Sequence, residues 1–260
     1  MKNLIEWPRA QYWDKCWNPW IGCDPCSPAC DNCYAAAIAK RFKMQFYPPH
    51  ETDQTPQRSG VVFCGNMTDL FGHWMDWVDS SRLIAQTLGY SRKATYLWLT
   101  KRPSKMGEAL NKGTLLYRDE DGDHESPFFD CEFGNQYFGM TAEDQEYYSA
   151  RIDSLCGSVP VWAKCWLSAE PLLGPIDLSL GYIHKKCGLP FKPFEWVVVG
   201  CESGPNRRPC KIEWVKDIVY QCKVLGIKVF VKQLDIDGKC VTDINKFPED
   251  LRIRQVPWEV

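Results

Sequence analysis

The sequence predicts an α/β fold, a partial TIM-like barrel of about six or seven parallel strands. Two observations carry this prediction: the short apolar runs are nearly continuous, and their ends recur every 29 to 40 residues. Continuous apolar runs are typical of strands covered on both faces, and the recurrence matches the size of a βα unit. Because no segment reads as a linker, we expect a single domain over residues 1–260.

Six apolar runs rich in β-branched or aromatic residues predict the strands of this barrel. They are Val61–Gly65, Thr95–Leu99, Gln136–Gly139, Val161–Leu167, Trp196–Gly200 and Lys228–Val231. A shorter segment around Trp17–Gly22 would supply a first strand. The predicted strands therefore number six, or seven if this segment is included.

Helix-like stretches separate the predicted strands, three of them with apolar residues at three- and four-residue spacing. They are Asp31–Met44, His73–Tyr90, Glu143–Cys156 and Glu213–Leu225, and Gly226 is expected to end the last one. Three further segments are expected to be irregular: a polar loop at 115–130, a connection at 184–193 and a tail at 235–260.

Composition narrows the classes of function. The net charge of −2 gives no global positive field of the kind that marks many nucleic-acid-binding proteins. No apolar run approaches the length of a membrane helix, and the N-terminus lacks the apolar core of a signal peptide. We therefore expect no membrane contact and a reducing, cytoplasmic location, in which the fourteen cysteines are metal ligands, reactive thiols or packed side chains.

Four cysteines are crowded into the predicted loop 22–34, at Cys23, Cys26, Cys30 and Cys33. Cys26, Cys30 and Cys33 are spaced C-x3-C-x2-C, whereas Cys23, Cys30 and Cys33 are spaced C-x6-C-x2-C. Either triad could ligate three irons of a [4Fe–4S] cluster and leave the fourth iron open. The alternative is a zinc site of two C-x2-C pairs, although zinc ribbons usually join such pairs across a longer loop.

Polar side chains follow the predicted strands, at the edge where ligands bind in parallel α/β folds. For any one of them, a solvated loop residue or a helix cap is the ordinary alternative. Together they would form a ring of charges at one edge of the sheet. The candidates are Asn66, Thr68, Asp69, Lys101, Arg102, Glu143, Glu170, Cys201, Glu202 and Lys232.

Seven segments in order make the sequence similar to a known family. They are WNPWIGCDPCSPACDNCYA, NMTDLF, LTKRP, GMTAEDQ, LSAEPLLGPIDL, VVVGCESGPNRRP and VFVKQ. This series, which runs most of the length of the chain, resembles the phage and bacterial radical S-adenosylmethionine (SAM) family of formerly unknown function. That family is distantly similar to spore photoproduct lyase.

Two positions depart from the pattern of that family. The family usually has its first cysteine at the position of Cys23, and the position of Cys26 is commonly aliphatic, whereas the spacing most common in the wider superfamily selects Cys26. We expect the ligands to be Cys23, Cys30 and Cys33, with Cys26 as the alternative to Cys23. Cys201 replaces a more usual glycine, which suggests either a hydrogen-atom donor or a packed thiol.

The resemblance implies a [4Fe–4S] cluster and SAM as cofactors, and cleavage of SAM to methionine and a 5′-deoxyadenosyl radical. On electrostatic grounds we expect Asn66, Thr68 and Asp69 to hold the methionyl ammonium, and Lys101 or Arg102 to pair with the methionyl carboxylate. Glu143 would contact the cofactor ribose or the substrate. Glu170, Glu202 and Cys201 are the candidate catalytic residues, and Arg207, Arg208 and Lys232 could meet a phosphate.

The resemblance also favours a nucleobase or DNA substrate, for example isomerisation of a hypermodified thymine in phage DNA. The alternatives are a lyase that repairs a DNA base lesion and a non-catalytic metal-binding module. An external electron donor such as flavodoxin or ferredoxin is implied, a monomer is favoured, and the cytoplasm would be that of the host if a phage encodes the protein.

Overall fold

A curled, mostly parallel β-sheet forms the centre of the molecule, with helices packed against its outer face. The computed structural model describes residues 9–88, 90, 93–119, 122–131, 133–179 and 193–258. The strands are β1 (Lys15–Trp17), β2 (Trp20–Ile21), β3 (His50–Glu51), β4 (Gly60–Cys64), β5 (Ala94–Thr100), β6 (Thr114–Asp119), β7 (Gly122–Pro127), β8 (Gln136–Thr141), β9 (Lys164–Ala169), β10 (Trp196–Gly200), β11 (Lys228–Ile236) and β12 (Lys239–Val241). The helices are α1 (Tyr34–Arg41), α2 (Trp77–Leu88), α3 (Pro103–Lys112), α4 (Gln145–Ser158) and α5 (Ile212–Leu225).

The main sheet has the strand order β1-β4-β5-β8-β9-β10-β11-β12. Every neighbouring pair from β1 to β11 is parallel, and β12 joins β11 in the antiparallel direction. The α/β class is confirmed, and the half-barrel curl is compatible with a partial barrel. Within the described residues the sheet has eight strands rather than the expected six or seven, because part of the tail adds β12.

Alternate residues of the central strands enter two different cores, which explains why their apolar runs are continuous. On β4, Val62 packs in the outer core beneath the helices, whereas Val61 and Phe63 point into the half-barrel. Leu97 on β5 and Trp166 on β9 belong to the same inner core. A strand buried on both faces has no polar alternation.

Several strands and helices begin or end at residues other than those that the sequence predicts. The ninth strand begins at Lys164, not at Val161, whose side chain is 83% exposed. The helix expected at Asp31–Met44 is shortened to α1, because Cys30 ends a preceding 3-10 turn and Phe42 ends the helix. Gly226 ends α5 with a left-handed φ of 64°, as expected.

Three expectations need correction or lie outside the described residues. The segment 115–130 is not a loop, since β6 and β7 pair as an antiparallel hairpin. Helix α3 was not predicted, although Pro103 at its first turn is a common helix start. The expected connection at 184–193 overlaps residues 180–192, which are not described.

The tail after residue 234 is also more ordered than expected. It forms β12 and two 3-10 turns, at Ile244–Lys246 and Glu249–Leu251. Trp258 is 4% exposed and its ring lies 5.1 Å from Trp196 in the inner core. The tail therefore contributes to the half-barrel interior as well as to its edge.

No helix among the described residues is long and apolar enough to cross a membrane.

Candidate functional site

A cavity of about 380 Å³ opens at the carboxyl ends of the parallel strands. This is the edge at which parallel α/β folds bind ligands, and the volume lies in the range of small-molecule sites. Its walls include the four loop cysteines and the following residues from strand ends: Asn66, Thr68, Asp69, Thr100, Lys101, Arg102, Thr141, Ser168, Glu170, Cys201, Glu202, Lys232 and Gln233. The predicted ring of polar side chains is therefore gathered here, with one exception described below.

The cysteine loop lies against the loop that follows β4. The Gly22 amide donates to Met67 O at 3.0 Å, and the Thr68 hydroxyl donates to Gly22 O at 2.6 Å. Gly22 has a φ of 106°, and a Cβ there would meet the backbone of Phe46 and Pro49. A glycine directly before Cys23 thus lets the loop pass close to neighbouring backbone.

Lys101, at the end of β5, points at the loop. Its ammonium donates to Ser27 Oγ at 2.7 Å and to Cys30 Sγ at 3.4 Å. The Cys26 amide donates to the same sulfur at 3.4 Å. A hydrogen bond from the Cys26 thiol, followed by the positive charge of Lys101, lowers the pKa of Cys30 to about 3. These contacts favour the thiolate of Cys30, the form that binds metals.

The neighbouring thiols of Cys23 and Cys26 are held in the protonated form. Burial raises the pKa of Cys23 to about 12, and the nearby Asp69 carboxylate adds to the rise. The hydrogen bond to Cys30 raises the pKa of Cys26. Cys23 is half-buried and Cys26 is exposed, and both line the cavity with Cys30 and Cys33.

The donor set fits an iron–sulfur cluster by its chemistry. Four thiols face one cavity, and one of them accepts hydrogen bonds from an ammonium and an amide, which are the donors that stabilise cluster sulfurs. Among the described residues, no three His, Cys, Asp or Glu side chains are arranged around a point that a single metal ion would occupy. A four-iron cube is larger than one ion, so its ligands stand further apart.

Asp69 lies on the cavity wall, and both of its carboxylate oxygens already accept hydrogen bonds from other residues. Oδ1 accepts from Phe71 N at 3.0 Å and Thr100 Oγ1 at 2.7 Å, and Oδ2 accepts from Lys101 N at 3.1 Å and Arg102 at 2.9 Å. A carboxylate offers about four lone-pair sites. Asp69 is therefore placed to fix the loop after β5, and a direct bond to a methionyl ammonium would have to displace one of these donors.

Arg102 and Thr68 are likewise engaged with the chain. The Arg102 guanidinium pairs with Asp69 and also donates to Asp24 O in the cysteine loop at 3.2 Å. The Thr68 hydroxyl is used on Gly22 O, as above. Asn66 differs, because its Oδ1 is buried and has no hydrogen-bond partner in the described structure. Of the predicted residues after β4, Asn66 has a free polar atom for a ligand.

Glu202, after β10, joins the cysteine loop from the other side. Its carboxylate accepts from Asn32 Nδ2 at 3.0 Å and from Arg208 through the amide at 2.8 Å and the guanidinium at 2.5 and 3.0 Å. Burial alone would raise the pKa of Glu202, but the hydrogen bonds from Arg208 and Asn32 hold this pKa below its usual range. Arg208 also donates to Pro28 O at 2.9 Å. We call Asn32, Glu202 and Arg208 the loop clamp.

Of the ten residues in the predicted ring, Glu143 is the one that does not line the cavity, and Arg207 and Arg208, expected to meet a phosphate, do not line it either. It is fully buried, and its Oε2 pairs with the Arg151 guanidinium at 2.6 Å. Its backbone carbonyl accepts from Leu173 and Gly174. In this position Glu143 connects the loop after β8 to α4 and to the loop after β9.

Glu170, after β9, faces the cavity beside a lysine and two aromatic rings. Lys232 Nζ lies 3.1 Å from Glu170 Oε1, and it sits 5.6 and 5.5 Å from the ring centres of Tyr12 and Trp13. The Tyr12 hydroxyl donates to Glu170 Oε2 at 3.5 Å. Burial, followed by the charge of Glu170, raises the pKa of Tyr12. We call Tyr12, Trp13, Glu170 and Lys232 the carboxylate–lysine group.

Tyr12 and Trp13 were missed by the sequence analysis. They precede β1 and carry no motif, and only the folding of this segment over the half-barrel brings them to the cavity. Their one signal was an aromatic pair in a polar N-terminal segment.

Cys201 lines the cavity but is only 1% exposed. Burial, followed by the charge and the hydrogen bond of the adjacent Cys240 thiol, raises the pKa of Cys201. Its backbone amide donates to Gln233 O at 3.2 Å, and its carbonyl accepts from Gln233 Nε2 at 2.6 Å. The thiol is thus protonated at the cavity wall and touches a second thiol behind it.

Fold and site together define a class: an α/β protein with a half-barrel sheet whose carboxyl-edge cavity is lined by four cysteines from one loop. Residues 5–242 match the model of a family described as a protein of unknown function, DUF5131. The chain belongs to this family. No curated protein matches the chain, and no solved structure does.

Proposed function

We propose that this protein is a radical SAM enzyme that acts on a nucleobase-type substrate. One observation carries the proposal: four cysteines of a single short loop face a cavity at the carboxyl edge of a mostly parallel sheet. The resemblance of seven ordered segments to the radical SAM family supports it. Glu170 and Lys232 also face the cavity without holding the cysteine loop, and a purely structural metal site would not need them.

The cysteine loop would hold a [4Fe–4S] cluster through Cys23, Cys30 and Cys33, with Cys26 as the alternative to Cys23. When bound, the reduced cluster and SAM supply a 5′-deoxyadenosyl radical, with the electron coming from an external donor such as flavodoxin or ferredoxin. Lys101 offsets the negative charge of the Cys30 thiolate through its contact at 3.4 Å. The loop clamp would hold the ligand-bearing loop in place.

The carboxylate–lysine group would meet the substrate. It offers a carboxylate and an ammonium for the polar edge of a base, and aromatic rings at its floor. Asn66 Oδ1 adds an acceptor without a partner in the described structure. The inner core closes the cavity from below, which would shield the reacting carbon from water on that side.

The concrete reaction we favour is isomerisation of a hypermodified thymine in DNA. Isomerisation leaves the mass of the modified nucleoside unchanged, whereas lyase chemistry on a base lesion changes the mass of the nucleosides released by digestion. A non-catalytic metal-binding module would yield no 5′-deoxyadenosine. Mass spectrometry of the substrate and the nucleoside products therefore separates the three.

The proposal is tested by anaerobic reconstitution with iron and sulfide, followed by dithionite and SAM. Wild-type protein is expected to show a broad absorption band and to form 5′-deoxyadenosine, because the loop thiolates bind the cluster. Cys30→Ala is expected to lose both properties. Cys131→Ala is the matched control, since Cys131 lies outside this cavity. A colourless wild-type protein that retains zinc and forms no 5′-deoxyadenosine would overturn the proposal.

A further inference from the structure

Helix α1, which follows the last loop cysteine, exposes its large apolar side chains instead of burying them. Its buried face consists of the small residues Ala35 and Ala39. A surface helix normally buries its apolar stripe and exposes polar residues. Tyr34 (47% exposed) and Ile38 (38%) lie on α1, and exposed apolar side chains continue just after it at Phe42 (65%), Met44 (39%) and Tyr47 (68%). We call these five side chains the α1 strip.

Positive charge is interleaved with the α1 strip. Lys40, Arg41 and Lys43 are all exposed, and the Arg41 guanidinium lies 5.6 Å from the centre of the Phe42 ring. The sequence from residue 34 to residue 49 contains no Asp or Glu. Although the protein carries a net charge of −2, this surface is locally cationic and aromatic.

The α1 strip begins at the mouth of the cavity. Tyr34 and Ala35 line the cavity, and the Tyr34 hydroxyl donates to Asn66 O at 2.5 Å. The eight residues of α1 extend about 12 Å, which is the length of about three stacked nucleotides. A strand lying along the helix would therefore have one end at the cavity.

We propose that the α1 strip binds single-stranded DNA beside the base that enters the cavity, an inference that rests on the proposed function. Aromatic rings stack on unpaired bases, and lysine and arginine pair with phosphates. Exposed apolar patches rimmed by charge mark interaction sites.

The size of the surface argues against two other occupants. A stable protein interface uses about 20–30 residues a side, whereas the strip and its cations comprise eight. A helix that lies in a membrane interface buries a long apolar face, whereas α1 has only two turns. The combination of stacking rings with cations and no acidic residue fits a short polyanion that carries planar groups.

The test measures fluorescence anisotropy of a labelled twelve-nucleotide single-stranded DNA over a range of salt concentrations, without cofactor. Phe42→Ala/Tyr47→Ala is expected to weaken DNA binding at least about tenfold, because each substitution removes a ring on which a base would stack. Lys40→Gln/Arg41→Gln/Lys43→Gln is expected to weaken binding and to flatten the log–log salt slope by about 2, since three phosphate contacts disappear.

The matched control is Tyr220→Ala/Lys223→Gln on α5. Tyr220 is 66% exposed and Lys223 lies in the last turn of its helix, so the control removes a similar ring and charge away from the cavity. It is expected to bind like the wild type. Circular dichroism and thermal melting verify that all variants are folded.

Three outcomes would overturn the inference: wild-type protein that does not bind the DNA, strip variants that bind as tightly as the control, or tighter binding of RNA of the same sequence or of anionic lipid vesicles. The assay needs neither cluster nor SAM, so its failure is separate from failure of the proposed function. If 5′-deoxyadenosine forms normally but DNA does not bind, only the proposed DNA-binding role of the α1 strip is wrong. If DNA binds but SAM is not cleaved, only the proposed radical reaction is wrong.

Discussion

Three carboxylates line the described cavity wall, and their hydrogen bonds give them different roles. Asp69 and Glu202 are each filled by four donors from the chain itself. Glu170 has only the Lys232 ion pair and a long bond from Tyr12. A carboxylate with free lone pairs can exchange partners when a ligand enters, so we assign substrate contact to Glu170 and a positioning role to the other two.

The first prediction concerns Glu170. Glu170→Gln keeps the shape of the side chain and removes the charge, and we expect turnover of substrate to fall by about a hundredfold, with iron content unchanged. Glu195→Gln is the control, because Glu195 is exposed at the opposite end of β10. Product formation within twofold of wild type in Glu170→Gln would remove Glu170 from the catalytic set.

The second prediction decides which cysteine completes the ligand set. We expect Cys23→Ala to lose the cluster and Cys26→Ala to keep it, because Cys23 is half-buried in the cavity wall, whereas Cys26 is exposed. Iron and sulfide analysis of both variants after reconstitution measures this. The reverse pattern would assign the ligand to Cys26 and follow the C-x3-C-x2-C spacing.

At the scale of elements, the cysteine loop is held from three sides by loops that follow different strands. Thr68 reaches it from β4, Lys101 and Arg102 from β5, and the loop clamp from β10. The loop itself contains one 3-10 turn, at Pro28–Cys30. Its conformation is therefore set mainly by the barrel edge, and several polar residues that look catalytic in the sequence serve this purpose.

The third prediction tests the loop clamp. Arg208→Gln is expected to lower the free energy of unfolding by about 2 kcal/mol, because Glu202 is left as a buried charge without its cation. The double variant Glu202→Gln/Arg208→Gln should be less destabilised, since that charge is gone. Urea unfolding measures both. As a control, Arg82→Gln breaks an exposed pair with Asp79 and should cost less than about 0.5 kcal/mol. A double variant as unstable as Arg208→Gln would argue against the clamp.

At the scale of the whole molecule, the half-barrel is closed at its amino-terminal end by the tail. Val256 and Trp258 enter the inner core, and Trp258 contacts the rings of Trp196 and Tyr137 at 5.1 and 5.6 Å. The cavity at the other end therefore stands on a filled core. Because this core is closely packed, it fixes the positions of the strand ends that carry the polar groups of the site.

The fourth prediction follows from that packing. Trp258→Ala is expected to lower the free energy of unfolding by about 3–5 kcal/mol, because it empties a buried aromatic site. Tyr220→Ala, which truncates an exposed ring, should change stability by less than about 0.5 kcal/mol. Thermal and urea unfolding of the two variants provide the comparison, and equal stabilities would contradict the assigned role of the tail.

Local sequence patterns were sufficient for the parallel strands of the main sheet and for most helices. Runs such as Trp196–Gly200 are buried on both faces, and α5 ends at Gly226 as expected. The hairpin β6–β7 and the strand β12 were missed because they are short and mix apolar with charged residues, and pairing with a neighbour, which the sequence does not display, makes them strands. The entry of Val256 and Trp258 into the inner core was missed because it depends on contacts with strands far away in the sequence.

The candidate site was predictable in position but not in detail. Strand ends of a parallel sheet meet at one edge, so Lys101, Glu170 and Glu202 could be placed together in advance. The sequence does not show which carboxylates already accept hydrogen bonds from the chain, because these bonds join distant segments, as Arg208 and Glu202 do. Glu143 was misplaced for this reason, since its partner Arg151 draws it out of the cavity wall.

The central claim is that the cysteine loop holds a [4Fe–4S] cluster with one iron open to SAM. Its most direct test is the electron paramagnetic resonance spectrum of reconstituted, dithionite-reduced protein, recorded with and without SAM. The account predicts the signal of a reduced four-iron cluster that changes when SAM is added and is absent from Cys30→Ala. A signal that SAM leaves unchanged, or a protein that binds only zinc, would contradict it.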